Sequence, residues 1–241
     1  MDFFTHMPLF FKIQTIIWLG YFISLIPLFF IYRFWFFLRD PKRIIPGGNN
    51  IVSPADGLII YIKEIENNKE IPISIKKGKK IFLNELMDDA ENKYNLVIGV
   101  FMTPFSVHYN RIPFSGTITK NVYRSTKENK TMLKSFLNLV FNLKPFTENA
   151  EYIMDNERNT IALKGNKIDG AVIQIASTWI DNIKNLPVKI GDKVNKGDKI
   201  GIIRMGSQCD LYLNIKSKYK ILVKERSYVK AGSTILIEVK E

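Results

Sequence analysis

A chain of 241 residues, 46% of them hydrophobic, has ample material for one large core or two small ones. Its single cysteine, Cys209, excludes an intramolecular disulfide and a multi-cysteine zinc site, and two histidines, His6 and His108, exclude the His-rich zinc constellations, so no metal is expected. A formal net charge of +12 is compatible with nucleic acid, an anionic membrane or a lysine-rich surface; the lysines are scattered over turns such as Lys76-Lys77-Gly78-Lys79-Lys80, and no recognisable nucleic-acid-binding module accompanies them.

From Leu9 to Leu38 the sequence is almost continuously apolar, broken by Lys12 and Arg33 only. That suffices for one transmembrane helix of about twenty residues. Pro27 predicts either a kink in a single span or a shallow re-entrant hairpin. No small-residue cleavage site follows, which disfavours a removable signal peptide. Trp18, Tyr21, Tyr32 and Trp35 are interface-seeking types, and Arg33, Arg39, Lys42 and Arg43 outweigh the lone Lys12 at the other end. The positive-inside rule then leaves the body at the cytoplasmic face of the membrane, with residues 1–43 as anchor and 44–241 as a separate domain.

Beyond the Pro46-Gly47-Gly48-Asn49-Asn50 loop, Ile51 to Ile60 reads as strand, turn, strand, with Asp56 in the turn. Pro-Ala-Asp-Gly taken alone is a turn former. Ile71 to Asn84, with Gly78 inside, predicts a hairpin. Leu96 to Met102 is an unbroken apolar run and predicts a strand buried on both faces. In Ser106 to Pro113, alternation sets His108 and Asn110 on one face and Val107 and Tyr109 on the other. A lone histidine is more often structural than catalytic, but any histidine chemistry in the body falls to His108. Thr131 to Leu143 shows the spacing of one helical face, Met132, Leu133, Phe136, Leu137 and Val140. Its ordinary use is core packing; contact with lipid is the alternative. Asp155 to Asn159 is a polar turn, and Thr160–Leu163 and Ala171–Ala176 are strands.

The paired glycine turns of Val188–Gly201, half-echoed in Tyr228–Leu236, resemble hairpins of the small biotinyl/lipoyl barrels. The fold class expected is therefore mainly β (α+β), with a few helices. Two apolar runs, Lys199 to Met205 and Cys209 to Ile215, predict buried strands on either side of Gly206-Ser207. A Gly-Ser pair is ordinarily a tight turn, and Gly232-Ser233 reads that way. At Gly206-Ser207, however, the serine oxygen can reach the carbonyl behind it.

Arg39-Asp40-Pro41-Lys42-Arg43, Ser53-Pro54-Ala55-Asp56-Gly57, Phe101 to Arg111, Asn156-Glu157-Arg158-Asn159, Gln174-Ile175-Ala176 and Met205-Gly206-Ser207 occur in the order found in phosphatidylserine decarboxylase proenzymes. The chain resembles the short bacterial type of that family over nearly its whole length. The resemblance implies cleavage between Gly206 and Ser207 into a large chain 1–206 and a small chain 207–241, and conversion of Ser207 to a covalent pyruvoyl group that forms a Schiff base with substrate. It further implies decarboxylation of phosphatidylserine to phosphatidylethanolamine, with Asp56 and His108 as the matching catalytic residues. The two chains are expected to stay together as a heterodimer, open to further dimerisation, on an anionic bacterial inner membrane. Two departures stand out: Met205 and Gln208 flank the Gly-Ser where family members often carry Phe and Arg, and Ser177 to Asp181 replaces a glycine and a basic pair.

One rival reading is a membrane-tethered adaptor built on a biotinyl/lipoyl-like barrel. It accounts for the glycine hairpins but not for Gly206-Ser207, Asp56 and His108 together. A membrane-bound serine hydrolase is the other, and it lacks the Gly-x-Ser-x-Gly elbow, since Cys209 stands at the second glycine.

Overall fold

The computed structural model describes residues 8–65, 72–76, 79–82, 94–141, 152–178, 183–204 and 207–240. Two compact units result, Met1–Arg39 and Asp40–Glu241.

In the first unit, α1 (Leu9–Phe30) runs unbroken through Pro27 and continues into a π-helical turn, Ile31–Phe36. The re-entrant hairpin offered as one alternative does not form. No residue of α1 is buried. A helix satisfies its own backbone polar groups, so an apolar one of this length is a form that hydrocarbon tolerates, and Leu9–Phe36 is long and apolar enough to cross a membrane.

The second unit is built on strands. Its main sheet has eight, in the order β11 (Lys193–Val194), β7 (Gly116–Arg124), β8 (Arg158–Lys164), β9 (Ile168–Ala176), β13 (Ser207–Ile215), β5 (Leu96–Met102), β2 (Gly57–Glu64) and β15 (Tyr228–Val229). Every neighbouring pair is antiparallel. Two three-stranded sheets accompany it: β1 (Asn50–Val52), β16 (Ile235–Val239) and β14 (Tyr219–Ile221), and β10 (Ile183–Asn185), β12 (Lys199–Ile203) and β6 (Tyr109–Arg111). Of the hairpin predicted at residues 71–84, the structure describes the antiparallel pair β3 (Pro72–Lys76) and β4 (Lys79–Phe82); its ends and residues 77–78 lie outside the described residues. The mainly-β expectation holds, and the sheets stay open rather than closing into a barrel. Glycine turns form as expected, Gly191, Gly197 and Gly232 all having positive φ. The strands they join find partners elsewhere: β11 pairs with β7, and β12 with β6 and β10.

Both faces of the main sheet are covered, which is why its central strands read as continuous apolar runs. Alternate residues of β5 go to different cores: Ile98, Val100 and Met102 to one, Val97 and Phe101 to the other. The second core is roofed by α2 (Leu133–Phe141), whose Phe136 ring stacks on Phe101 at 5.9 Å between centroids. Tyr152 and Ile153 of the short α3 (Tyr152–Asp155) complete it.

Candidate active site

Ser207 opens β13, the strand flanked by β9 and β5. The structure corrects the strand limits read from sequence: β12 stops at Ile203 rather than Met205, and β13 starts at Ser207 rather than Cys209. Polar Ser207 and Gln208 belong to the ladder because the burial of both faces comes from neighbouring strands, not from their own apolarity. In register, Ser207 faces Met102 on one side and Ala176 on the other. Met205 and Gly206 lie outside the described residues. The Ser207 side chain is fully buried, and its hydroxyl donates to the Met102 thioether sulfur at 3.2 Å.

His108 enters from the neighbouring small sheet. It precedes β6, is fully buried, and its carbonyl accepts from the Ile203 N–H at 3.2 Å, four residues before Ser207. His108 and Asn110 are both buried and Tyr109 is half-buried, but Val107 is buried as well, so burial does not separate the two faces that the alternation predicted. Asp56 closes the turn before β2. Leu58 pairs with Phe101, so Gly57 starts its strand beside the end of β5, and a Cβ on Gly57 would collide with the Phe101 carbonyl. The turn is tied to the histidine segment by the Arg111 N–H, which donates to the Pro54 carbonyl at 2.9 Å.

Asp56, His108 and Ser207 are thus brought to one end of the sheet. Asp56 stands just before β2, the strand two places from β13, which is about 10 Å across the sheet at the usual strand spacing. Its carboxylate accepts from Arg43 Nη2 at 2.8 and 3.0 Å and from the Ala231 N–H at 2.7 Å. Arg43 and Asp56 are both nearly buried. Sequence reasoning missed that pairing, although Arg43 lies in a motif it had singled out. The same motif contributes Asp40, which pairs with Arg111 at 2.6 Å and Lys199 at 3.0 Å. Burial pushes the Asp40 carboxyl up, but these two cations outweigh it and hold the group below its ordinary range.

The other motifs brace the same end. Asn156 donates to the Ala176 carbonyl at 2.7 Å, and the Glu157 carbonyl accepts from the Ala176 N–H at 2.9 Å. The Glu157 carboxylate accepts from the Ile183 N–H and the Tyr123 hydroxyl, each at 2.9 Å. Gln174 Nε2 donates to Asn110 Oδ1 at 2.8 Å, and Asn110 Nδ2 to Met102 Sδ at 3.5 Å. Past Ala176, Ser177 Oγ accepts from the Met132 N–H at 3.1 Å, while Trp179 to Asp181 of the departing segment lie outside the described residues.

On the opposite face of β13, Asp210 accepts from the Tyr61 hydroxyl at 2.7 Å and Gln208 Nε2 at 2.8 Å. Burial raises its carboxyl to about 7, against the lowering effect of those two bonds and the Lys63 charge. Burial likewise pushes the Cys209 thiol well up, so it is inert.

The sequence profile of the phosphatidylserine decarboxylase family matches residues 30–237. This chain belongs to that family. Among its relatives, a provisionally named archaetidylserine decarboxylase proenzyme of Methanocaldococcus jannaschii is 39% identical over 202 residues, covering 83% of this chain and 87% of the relative. A phosphatidylserine decarboxylase proenzyme of Novosphingobium aromaticivorans is 34% identical over 210 residues, 85% of this chain and 71% of the relative. One from Geotalea uraniireducens is 30% identical over 203 residues, 83% and 76% of the two chains. Membership of the phosphatidylserine decarboxylase family makes the chain a carboxy-lyase.

Proposed function

We propose that this chain is a proenzyme that severs its own backbone between Gly206 and Ser207, then decarboxylates phosphatidylserine to phosphatidylethanolamine. The observation that carries the reading is Ser207 itself, a buried hydroxyl at the end of a central strand whose acceptor among the described residues is a thioether. Sulfur accepts weakly, so little holds that hydroxyl back from a better base.

The chemistry asks for a base, and His108 is the histidine of this unit, bonded through its carbonyl to the segment leading into Ser207. In the proposed cleavage His108 takes the Ser207 proton as Oγ adds to the Gly206 carbonyl carbon. The C–N bond then breaks, the nitrogen takes up a proton, and an ester joins Gly206 to Ser207 Oγ. Removal of the Ser207 Cα proton breaks the Cβ–Oγ bond. Gly206 leaves as a carboxylate, and water replaces the nitrogen of the remaining dehydroalanine, which departs as ammonia. Asp56 keeps its part here by fixing the turn whose Pro54 carbonyl holds Arg111, three residues beyond His108. Arg43 and the Ala231 N–H hold its carboxylate in place.

Residue 207 fits the pyruvoyl group that this sequence of steps leaves. It is fully buried, gripped by ladders on both sides, and its side chain lies beside a soft sulfur that a ketone can face. A pyruvoyl group supplies an electron sink for the charge left when CO₂ departs. The chain's own share is to exclude water around residue 207 and, at His108 Nδ1 or Nε2, to carry the proton that replaces the carboxylate.

A lipid substrate gives purpose to the apolar Leu9–Phe36 helix and the basic residues after it. In this reading residues 1–43 anchor residues 44–241 at the cytoplasmic face of the cell membrane, and the large and small chains remain one heterodimer. The Methanocaldococcus relative names a second lipid, archaetidylserine, so both belong in the assay.

On a denaturing gel, wild-type protein from its native membrane should run as fragments 1–206 and 207–241, the smaller with a blocked first residue by mass spectrometry. Ser207→Ala should remain one chain and release no CO₂ from either lipid. Intact wild-type protein would overturn the reading.

A further inference from the structure

The helix α2 turns polar residues toward the core and apolar ones to the outside. Its buried positions are Ser135, Asn138 and Leu139. Its outward positions include Leu133, Leu137, Val140 and Phe141, which stand 58, 40, 54 and 64% exposed. Those four fall at i, i+4, i+7 and i+8, the spacing of one continuous helical face. Single apolar residues on a surface are ordinary, whereas a contiguous stripe of them marks a contact.

The helix is not free to roll and hide that stripe. Ser135 is hydrogen-bonded to Tyr152, whose hydroxyl donates to the buried Gln208 carboxamide at 2.8 Å. Phe136 is stacked on Phe101, and the Met132 N–H just ahead of the helix donates to Ser177 Oγ at 3.1 Å. Rotation about the helix axis would break these contacts and strand buried polar groups without partners.

Basic residues lead into the stripe. From Arg124 to Lys134 the chain exposes Arg124, Lys127, Lys130 and Lys134 against one acid, Glu128, and Lys130 pairs with Asp155 at 2.8 Å. A second copy docking by the same face would bring cations against cations. An anionic lipid surface suits both parts, the apolar stripe at the boundary of its acyl chains and the cations among its phosphates.

We propose that the outer face of α2 is a membrane-docking surface, with Leu133, Leu137, Val140 and Phe141 seated in the interfacial layer of an anionic bilayer and Arg124, Lys127 and Lys134 among the headgroups. The helix starts at the Ser207 end of the main sheet, since Ser177 follows Ala176, the register partner of Ser207. A bilayer docked there would sit beside the end where a lipid headgroup has to enter. That consequence rests on the lipid chemistry proposed above, whereas the docking itself does not.

The test uses the full chain in vesicles, with Leu137→Cys carrying an environment-sensitive fluorophore. Cys209, the sole native cysteine, is fully buried, so the label goes to position 137. In vesicles containing phosphatidylglycerol its emission should shift to the blue, and lipids brominated near the top of their acyl chains should quench it about twofold or more. Val140→Cys, on the same face, should behave alike. A label on Lys218→Cys, exposed beyond the far end of β13, should be quenched far less. Quenching at position 137 should weaken in pure phosphatidylcholine and in high salt. Labels at 137 and 140 no better quenched than one at 218 would overturn the surface. So would a blue shift that appears only at high protein density and without quenching by lipid, the mark of a second copy. Quenching as strong in phosphatidylcholine alone would overturn the part given to the cations. The signal is read whether or not the chain cuts itself, so an uncut wild type would remove the proposed chemistry and leave the docking surface to be judged alone.

Discussion

The two faces of β13 carry polar residues in opposite conditions. On one, Ser207 gives its hydroxyl to the Met102 thioether, the same sulfur on which the hydrogen bonds of Gln174 and Asn110 end. On the other, Gln208 and Asp210 are locked together: Asp210 accepts from Tyr61 and Gln208, and Gln208 Oε1 accepts from the Tyr152 hydroxyl at 2.8 Å. A buried group with strong partners is a girder, since moving it forfeits all of them. A buried group with a weak partner is available for reaction. One strand thus supplies both rigidity and reactivity, separated only by the two-residue period of the pleat.

Changes on the reactive face should disturb chemistry, and those on the girder face should disturb folding. The largest effect expected is that of His108→Ala, which should slow self-cleavage by about 10²–10⁴-fold, read as the full-length band on a denaturing gel. Near-normal fragments would mean that the base lies elsewhere. Asp210 tests the other face through pH. Its carboxyl holds a proton more tightly folded than unfolded, so the stability linked to it is full below about pH 4 and is lost as the pH rises through about 7. That loss is worth roughly 4 kcal/mol across the range. Asp210→Asn should flatten this part of the profile in denaturant unfolding while still yielding two fragments. A profile that keeps its slope would place the titrating group elsewhere. The smallest effect is expected from Met102→Leu, a near volume-conserving change that should cost less than about 1.5 kcal/mol and leave cleavage intact. If that variant stayed uncut, the sulfur would be a participant and the contrast between the faces would need redrawing.

The elements legible in sequence were those with one dominant signal. Leu96–Met102 announced burial on both faces by its unbroken run, and the helix within Thr131–Leu143 by its spacing. Sheet order was not legible, because β13 finds β9 across thirty residues of intervening chain and β5 across more than a hundred, through pairings that no local pattern encodes. The site was legible as motifs rather than as contacts. Asp56, His108 and Ser207 stood out by residue type, whereas Arg43, Asn110, Gln174 and Met102 read as a linker charge, two strand amides and a core residue. What could have found Asn110 and Gln174 was their polarity inside strands otherwise apolar. The same signal lay in Gln208 and Asp210, two hydrophilic side chains in a strand buried along eight of its nine residues.

The ladder around β13 also bears on what happens if the backbone opens just before Ser207. The short piece so released would keep nine pairings to β9 and seven to β5, and would still contribute β14, β15 and β16 to sheets shared with β1 and β2. Severed pieces woven together this way have no seam along which to part. Scission would pass unnoticed in a native gel or a sedimentation profile, and only a denaturant that dissolves the whole weave would reveal that the thread had been cut.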